Sequence, residues 1–336
     1  MTLNSLTETF PWLQGAPIID GLLPWSQTYL PEGADLLKHL ARLRNNGFSH
    51  ISFTLAGGQE TAADALIQLG SIAAALRLSG AKIAHDTNII RDAHKTGQLS
   101  ASFHFQTSTP FLTSLDMVDA FYAAGVQRAI LAYNDANPFA DGCHETRNAG
   151  LSDRGRALVT RMDDVGMRID LTHCGLKTSF DVLQMGLKSP PLFSHSNARA
   201  LFEHERNLTD EQLQTAAQVG SYIGLNGVGM FLGAEAQEIP SEMARHAAYI
   251  AEIIGADHLG LGLDFMYLAG SDYRFFHQNR LSWPRGYPDP PWHFLQPEQI
   301  TELVTELLAV GFSQKEIRGI LGENYLNLAL TGKEAS

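Results

Sequence analysis

Residues 158–173 read LVTRMDDVGMRIDLTH and contain one complete unit of the fold. The apolar residues from Leu158 to Val165 recur with the spacing of one face of an α-helix. Gly166 follows, where a left-handed residue can end a helix at little cost. The next seven residues form a short, largely apolar run that ends at His173 and predicts a strand. A helix that leads directly into a strand predicts a parallel βα unit.

The same alternation recurs along the whole chain. Short apolar or β-branched runs that predict strands are separated by stretches with helical spacing. The predicted strands are Pro17–Asp20, Phe48–Leu55, Ser100–Gln106, Arg128–Asn134, Met167–His173, Pro191–His195, Ser221–Asn226 and His258–Phe265. The predicted helices lie near 36–43, 61–78, 114–124, 158–165, 178–188, 210–219 and 241–254. Eight alternations predict an α/β fold, a (β/α)8 TIM-like barrel.

The chain contains no Ser/Gly-rich linker or charge block that would divide it, so we expect a single barrel domain over residues 1–336. Residues 268–294 differ from the rest because aromatic residues, including Trp283 and Trp292, stand there among Pro, Arg and His. We predict that this segment is a long loop over the barrel mouth. Two helices, 297–310 and 313–328, should cover the remaining surface.

Charge and composition exclude several classes of partner. The 36 acidic and 24 basic residues give a net charge of −12, which disfavours binding to nucleic acid and to anionic membranes. No run of 18 uncharged apolar residues is present, so no membrane span is predicted. Residues 1–15 lack the pattern of a secretory signal, and two cysteines fit a reducing compartment. We therefore expect a cytoplasmic protein.

Polar side chains stand at the ends of four predicted strands. His104 and Gln106 share one face of the third run, while His173, His195 and Asp264 close three later runs. In a TIM barrel the working residues come from the carboxyl ends of the strands. The two histidines are separated by about one βα unit, so their imidazoles should lie side by side, where neutral ring nitrogens suit Zn²⁺.

Several linked motifs resemble the renal (membrane) dipeptidase family of metallopeptidases. The resemblance covers about 18–328 and is strongest from 150 to 265. It is carried by Gly150-Leu151-Ser152 followed by Gly155, Ile169-Asp170-Leu171-Thr172-His173, Phe193-Ser194-His195-Ser196-Asn197-Ala198-Arg199, Arg206-Asn207-Leu208-Thr209-Asp210, Asp257-His258-Leu259-Gly260-Leu261-Gly262-Leu263-Asp264-Phe265 and Gly322-Glu323-Asn324-Tyr325.

The resemblance implies a barrel of the metal-dependent hydrolase type, with two zinc ions and a bridging hydroxide that attacks the peptide carbonyl of a dipeptide. By position, His173 and His195 match the two histidine ligands of one zinc ion. Asp264 matches an aspartate that works at the metals and in proton transfer. Arg206 matches the arginine that binds the free carboxylate of the substrate, with a surface ion pair to Glu203 or Glu205 as the alternative. A homodimer is also implied.

Four positions in three parts of the site, Leu22, Pro24, Gln106 and Tyr133, depart from the family pattern. The His-x-Asp ligands expected after the first strand are replaced within Asp20-Gly21-Leu22-Leu23-Pro24. The glutamate that bridges the metals aligns with Gln106, an amide that supplies no negative charge. The histidine that faces the substrate aligns with Tyr133, which we expect to assist at the carbonyl oxygen.

Three interpretations follow from these departures. The first is a single zinc ion on His173, His195 and Asp264, with His104 or Gln106 as further candidates. The second is catalysis without metal, and the third is a non-catalytic barrel that binds a small carboxylate, or a methylated amine in the aromatic loop. Glu145 could supply the missing carboxylate. We favour the first interpretation, a metal-dependent dipeptidase-like hydrolase that cleaves a dipeptide or a related small amide.

Overall fold

Parallel strands form the centre of the structure, a computed structural model that describes residues 3–26, 29–268, 273–280 and 286–329. All the strand pairs between named strands in these ranges are parallel. The strands are β1 (Ile18–Leu23), β2 (Phe48–Ala56), β3 (Lys82–Ile83), β4 (Ser100–Phe105), β5 (Val126–Ile130), β6 (Arg168–Asp170), β7 (Ile223–Leu225) and β8 (Leu259–Leu261).

The strands close into a circuit of eight positions. The main sheet runs in the order β1-β2-β4-β5-β6, and β7 pairs with β8. The position between β6 and β7 is taken by residues 192–193, which form single parallel bridges to Asp170 and Ile223. The circuit closes where the Asp264 amide donates to the Leu22 carbonyl at 3.1 Å. The predicted α/β barrel is therefore confirmed, and the short β3 is an addition that pairs only with β4.

Helices follow the strands along the chain. Helix α6 (Asp153–Val165) shows why they begin and end where they do. The Ser152 hydroxyl accepts from the Gly155 amide at 2.9 Å at its start, and Gly166 ends it with φ +90°. The other α-helices are α1 (Leu3–Thr9), α2 (Leu36–Asn45), α3 (Ala62–Ser79), α4 (Thr87–Lys95), α5 (Asp116–Ala123), α7 (Leu176–Leu183), α8 (Asp210–Gln218), α9 (Gly229–Leu232), α10 (Ile239–Ile254), α11 (Arg274–Gln278), α12 (Ile300–Ala309) and α13 (Gln314–Arg318).

Three predicted strands were too long at their carboxyl ends. The predicted strands 128–134, 167–173 and 258–265 stop at Ile130, Asp170 and Leu261, short of the polar residues Asn134, His173 and Asp264. All three of those polar residues have left-handed backbones, with φ values of +59°, +67° and +54°, and a residue in that conformation cannot continue a strand. The predicted strand 191–195 is reduced to two bridges. The sequence patterns also missed β3 and α4.

The last predicted segments also differ in detail. The predicted loop 268–294 contains the short helix α11. The predicted helix 313–328 is the short α13 continued by two π-helical turns, Gly319–Glu323 and Tyr325–Ala329. In the described part of the chain, no helix has the length and apolar character needed to cross a lipid bilayer.

Polar side chains line one arc of the barrel interior between β2 and β4. The ring of His50 on β2 bonds the hydroxyls of Ser100 and Ser102 on β4 at 2.9 and 3.0 Å. His104 on β4 bonds two hydroxyls of β2 in the same way. Because side chains alternate along a strand, every second residue of both strands contributes to this ladder.

A buried ion pair crosses the interior from β5. The Arg128 guanidinium donates to the Asp170 carboxylate at 3.3 Å and to the Ser52 hydroxyl at 3.1 Å, and it also bonds the Gly21 carbonyl of β1. Neither charged residue of the pair is more than 2% exposed. These bonds link β1, β2, β5 and β6 beneath the barrel mouth.

Candidate metal and substrate site

Two imidazoles meet at the mouth of the barrel. His173 follows β6 and His195 follows the bridge residues 192–193, and their Nε2 atoms lie 3.0 Å apart. Both side chains are buried, and burial together with the nearby Arg206 charge holds the pKa of each well below its usual value. The rings are therefore neutral at physiological pH, which is the state that binds metal.

The other nitrogen of each ring has its own hydrogen-bond partner. His173 Nδ1 lies 2.7 Å from the side-chain oxygen of Asn134, and His195 Nδ1 lies 2.7 Å from the Ser194 hydroxyl. Such outer partners fix the orientation of each ring, and each Nε2 is turned towards the other imidazole.

Asp264 lies beside this pair, just beyond β8. Its Oδ2 is 4.0 Å from His195 Nε2 and accepts from the Asn226 side chain at 3.3 Å. Burial raises the pKa of Asp264 to about 7, although the Arg206 charge and the Asn226 hydrogen bond act in the opposite direction. A carboxyl group with this pKa can both accept and return a proton near neutral pH.

Arg206 brings a positive charge to the same site. It is 3% exposed, its Cζ lies 5.2 Å from the centre of the Phe231 ring, and its Nη2 donates to the His195 carbonyl at 3.4 Å. The alternative of a surface ion pair is wrong, because Glu203 pairs with Arg199 and Glu205 lies 3.6 Å from His144. Among the described residues, Arg206 has no acidic partner and its Nε has no hydrogen-bond acceptor.

His104 and Gln106 are engaged with β2 instead. The ring nitrogens of His104 bond the hydroxyls of Ser52 and Thr54, both at 2.8 Å, and the Gln106 amide donates to Thr54 at 3.0 Å. Coordination by His104 would require the loss of one of these bonds. The proposal that either residue binds metal gains no support from these contacts.

Few further ligand atoms stand near this site in the described part of the chain. Leu22 and Pro24 are buried apolar residues at the end of β1 and offer no ligand atom. Within residues 3–26, 29–268, 273–280 and 286–329, no three His, Cys, Asp or Glu side chains stand close enough to form a ready-made cluster. The two imidazole nitrogens and the carboxylate beside them are ligand types that zinc takes in proteins.

Tyr133 stacks on one of these imidazoles. Its ring centroid is 3.9 Å from that of His173, with an angle of 23° between the planes. This contact covers one face of the His173 imidazole, so Tyr133 lies directly beside a candidate metal ligand.

The aromatic loop reaches the site through two adjacent residues that the sequence patterns did not identify. The Tyr287 hydroxyl accepts from the Asn134 side chain at 3.2 Å, and the Gly286 carbonyl accepts from His204 at 3.1 Å. The ring of Tyr287 also packs edge-on against His204. Only the position of Asn134 at the end of a predicted strand could have marked it in advance.

Other sequence candidates are placed differently. Glu145 accepts from the Arg147 amide at 3.4 Å on the exposed side of its loop. Burial raises the pKa of Cys143 to about 12, which disfavours a thiolate nucleophile. Trp292 packs against Phe276 at 4.5 Å between ring centroids, so these two rings contact each other and do not frame an open cage. Trp283 lies outside the described residues.

A parallel barrel that gathers imidazoles, a carboxylate and a buried guanidinium at the carboxyl ends of its strands is typical of barrel hydrolases. Comparison with known sequences identifies the family. Residues 14–272 match the profile described as Membrane dipeptidase (Peptidase family M19), and the chain belongs to this family.

Individual relatives agree with this assignment. Dipeptidase aclJ of Aspergillus oryzae is 28% identical over 239 residues, which cover 70% of this chain and 52% of that protein. The chain thus spans about half the length of that curated relative. An amidohydrolase from Pseudomonas aeruginosa has 25% identity, a TM-score of 0.82 and 98% coverage of both chains.

A third comparison shows the same fold at lower identity. It is the structure of a metallo peptidase from Rhodobacter sphaeroides liganded with a phosphinate mimic of the dipeptide L-Ala-D-Ala. The identity is 21%, the TM-score is 0.74, and the match covers 93% of this chain and 98% of that one.

Proposed function

We propose that this protein is a metal-dependent hydrolase that cleaves dipeptides or related small amides bearing a free carboxylate. The observation that carries this proposal is the Arg206 guanidinium, which is buried beside His195 and has no acidic partner in the described part of the chain. A buried positive charge without a counterion is costly, and a substrate carboxylate would neutralise it.

Arg206 suits this task chemically. A guanidinium stays charged at all relevant pH values and can grip both oxygens of a carboxylate. Phe231 supports the guanidinium from one side, and the His195 carbonyl holds Nη2, so the group is already oriented before a ligand arrives. A fixed anchor of this kind would place the scissile bond next to the imidazole pair.

His173 and His195, together with Asp264, would hold the metal ion, for which we propose zinc. When bound, such an ion activates water and polarises the carbonyl oxygen. The 3.0 Å spacing of the two Nε2 atoms and the neutral state of both rings support this assignment. One ion is proposed, because Leu22, Pro24 and Gln106 supply no second set of ligands.

Asp264 would carry the proton in this reaction. As the water oxygen bonds to the carbonyl carbon, Asp264 accepts the water proton and passes it to the amide nitrogen as the C–N bond breaks. Its Oδ2 lies 4.0 Å from His195 Nε2, which places this carboxyl beside the proposed ligands. We propose that the Tyr133 hydroxyl donates to the carbonyl oxygen, supported by the stacking of its ring on His173.

A second candidate function is a barrel that binds a small carboxylate without cleaving it. The observation in its favour is the end of β1, where Leu22 and Pro24 are buried and apolar. Such a protein would use Arg206 in the same way and would have no need of metal.

The proposed cytoplasmic location and homodimer stay predictions from the sequence.

Metal content distinguishes the two functions. The wild-type protein and its His173→Ala and His195→Ala variants should be purified without added metal or a polyhistidine tag and analysed by inductively coupled plasma mass spectrometry. The exposed His85→Ala serves as the matched control. About one zinc per chain in the wild type and control, lost in both site variants together with dipeptide hydrolysis, would support the hydrolase. No bound metal and no turnover after zinc or manganese is restored would exclude it.

A further inference from the structure

The segment Gly286-Tyr287 forms hydrogen bonds in two parts of the candidate site, one beside Arg206 and one beside His173. The Gly286 carbonyl accepts from His204 Nε2, and Nδ1 of the same ring accepts from the Arg206 amide at 3.0 Å. The hydroxyl of the next residue, Tyr287, accepts a hydrogen bond from Asn134, which lies beside His173. Two consecutive loop residues therefore contact His204, which accepts from the Arg206 backbone amide, and Asn134, which bonds His173.

Asn134 is the connection between the loop and His173. Its side-chain oxygen lies 2.7 Å from His173 Nδ1, and its side-chain nitrogen donates to the Tyr287 hydroxyl at 3.2 Å. The Cys143 thiol also points to the oxygen of this amide, at 3.5 Å. These contacts fix the amide so that an acceptor faces the imidazole, which then carries its proton on Nδ1.

We infer that Tyr287 is a positioning residue, which acts through Asn134 to hold the proton of His173 on Nδ1 and direct the Nε2 lone pair towards His195. Without the Tyr287 hydroxyl, the amide of Asn134 could rotate by 180° and present its nitrogen to the ring. The ring would then carry its proton on Nε2, the atom that the proposed metal needs. This inference deepens the proposed function, because it rests on His173 as a ligand.

The backbone conformations of Asn134 and His173 independently support a defined geometry for this contact. Asn134 and His173 both have left-handed backbones, with φ values of +59° and +67°. A non-glycine residue adopts this conformation at a cost, which is met where the surroundings determine it. Burial of Tyr287 among His144, His204 and Phe231 keeps its hydroxyl directed at the amide.

The decisive variant is Tyr287→Phe, which removes the hydroxyl and keeps the packed ring. Zn²⁺ affinity is measured by competition with a chromophoric chelator, and the His173 tautomer is read from two-bond ¹H–¹⁵N correlations in metal-free protein. We expect a zinc dissociation constant about tenfold higher than in the wild type and a mixture of tautomers at His173. Tyr249→Phe, which removes a hydroxyl bonded to Asp210, is the matched control.

Rescue separates a positioning role from a structural one. Asn134→Asp offers only oxygen atoms to His173 and tolerates the left-handed backbone, so its combination with Tyr287→Phe should restore the affinity and the single tautomer. An unchanged tautomer and affinity in Tyr287→Phe, or a double variant no better than the single one, would overturn the inference. A wild type with one His173 tautomer but no zinc affinity would instead refute the proposed function alone.

Discussion

Arg206 and His195 share one hydrogen bond, from the guanidinium Nη2 to the backbone carbonyl at 3.4 Å. The residue that we propose as the carboxylate anchor is thus fixed to the backbone of a proposed metal ligand. The proposed substrate anchor and the proposed metal ligand thus depend on the same backbone carbonyl. Variants at Arg206 should therefore be tested for metal binding as well as for turnover.

Replacing Arg206 should weaken substrate binding. Arg206→Met removes both the charge and the bidentate hydrogen bonds, worth about 2–3 kcal/mol, so kcat/KM for a dipeptide should fall roughly 30- to 160-fold. Arg206→Lys should recover part of this loss because it keeps the charge. Arg245→Met removes an exposed arginine paired with Glu242 and should leave kcat/KM unchanged. Equal kinetics for Arg206→Met and the wild type would refute the anchor.

Restoring one bridging carboxylate should not create a second metal site. Gln106→Glu places a carboxylate where the amide bonds Thr54, but Leu22 and Pro24 still offer no ligand atoms. We expect metal content to stay at about one ion per chain, as in the exposed control Gln98→Glu. The triple variant that adds Leu22→His and Pro24→Asp should bind a second ion. Two ions in Gln106→Glu alone would contradict this account of the site.

The Arg128–Asp170 pair should be essential for stability. Asp170→Asn leaves the Arg128 guanidinium buried without its counterion, so the free energy of unfolding should fall by about 3–5 kcal/mol. Arg128→Met combined with Asp170→Asn should cost less than the two single changes added together. The exposed pair Arg161–Asp119 provides the control, because Asp119→Asn should cost under about 1 kcal/mol. Equal losses at the two sites in urea unfolding would be inconsistent with this expectation.

Acid should destabilise the protein through its buried histidines. His39 stacks against Trp25 and Phe265, and burial together with the Arg42 charge lowers its pKa to about 4. The unfolded chain takes up this proton near pH 6.5 and the folded chain only near pH 4, so stability is full above pH 6.5 and is lost as the pH falls towards 4.

Replacing His39 should reduce this loss. His39→Phe keeps an aromatic ring in the stack, and its stability should drop by about 2 kcal/mol less than that of the wild type between pH 7 and 4.5. Urea unfolding at both pH values measures the difference, with the exposed His85→Gln as control. An identical drop in His39→Phe and the wild type would remove His39 from the acid response.

Local patterns were sufficient to predict the barrel and the pairing of His173 with His195. Each βα unit carries its own periodicity, and residues one unit apart must meet at the strand ends. The patterns could not show that the strands stop early or that the polar residues beyond them have left-handed backbones, because both depend on contacts outside each segment. The surroundings of the segment 191–195 are also long-range. A Cβ on Gly224 or Gly262 would lie within 2 Å of the Ser194 carbonyl, so both positions need glycine for this close approach of the backbone.

Sequence patterns also could not predict the hydrogen-bond partners of His104 and Tyr287. His104 is held by hydroxyls of β2, and this depends on the register between two strands about 50 residues apart. Tyr287 reaches Asn134 across 153 residues through the docking of a loop that has no periodic pattern. Contacts of this kind depend on the whole fold and leave no signal within a single segment.

The contact between the first and last strands of the barrel has a consequence for how the protein folds during synthesis. Asp20 accepts from the Leu263 amide across a separation of 243 residues, and Asp264 bonds the carbonyl of Leu22 next to it. Asp264 therefore takes its place only after the first and last strands have met. During synthesis residue 264 must leave the ribosome before the site can assemble, so a shorter nascent chain would carry both histidines without Asp264 beside them.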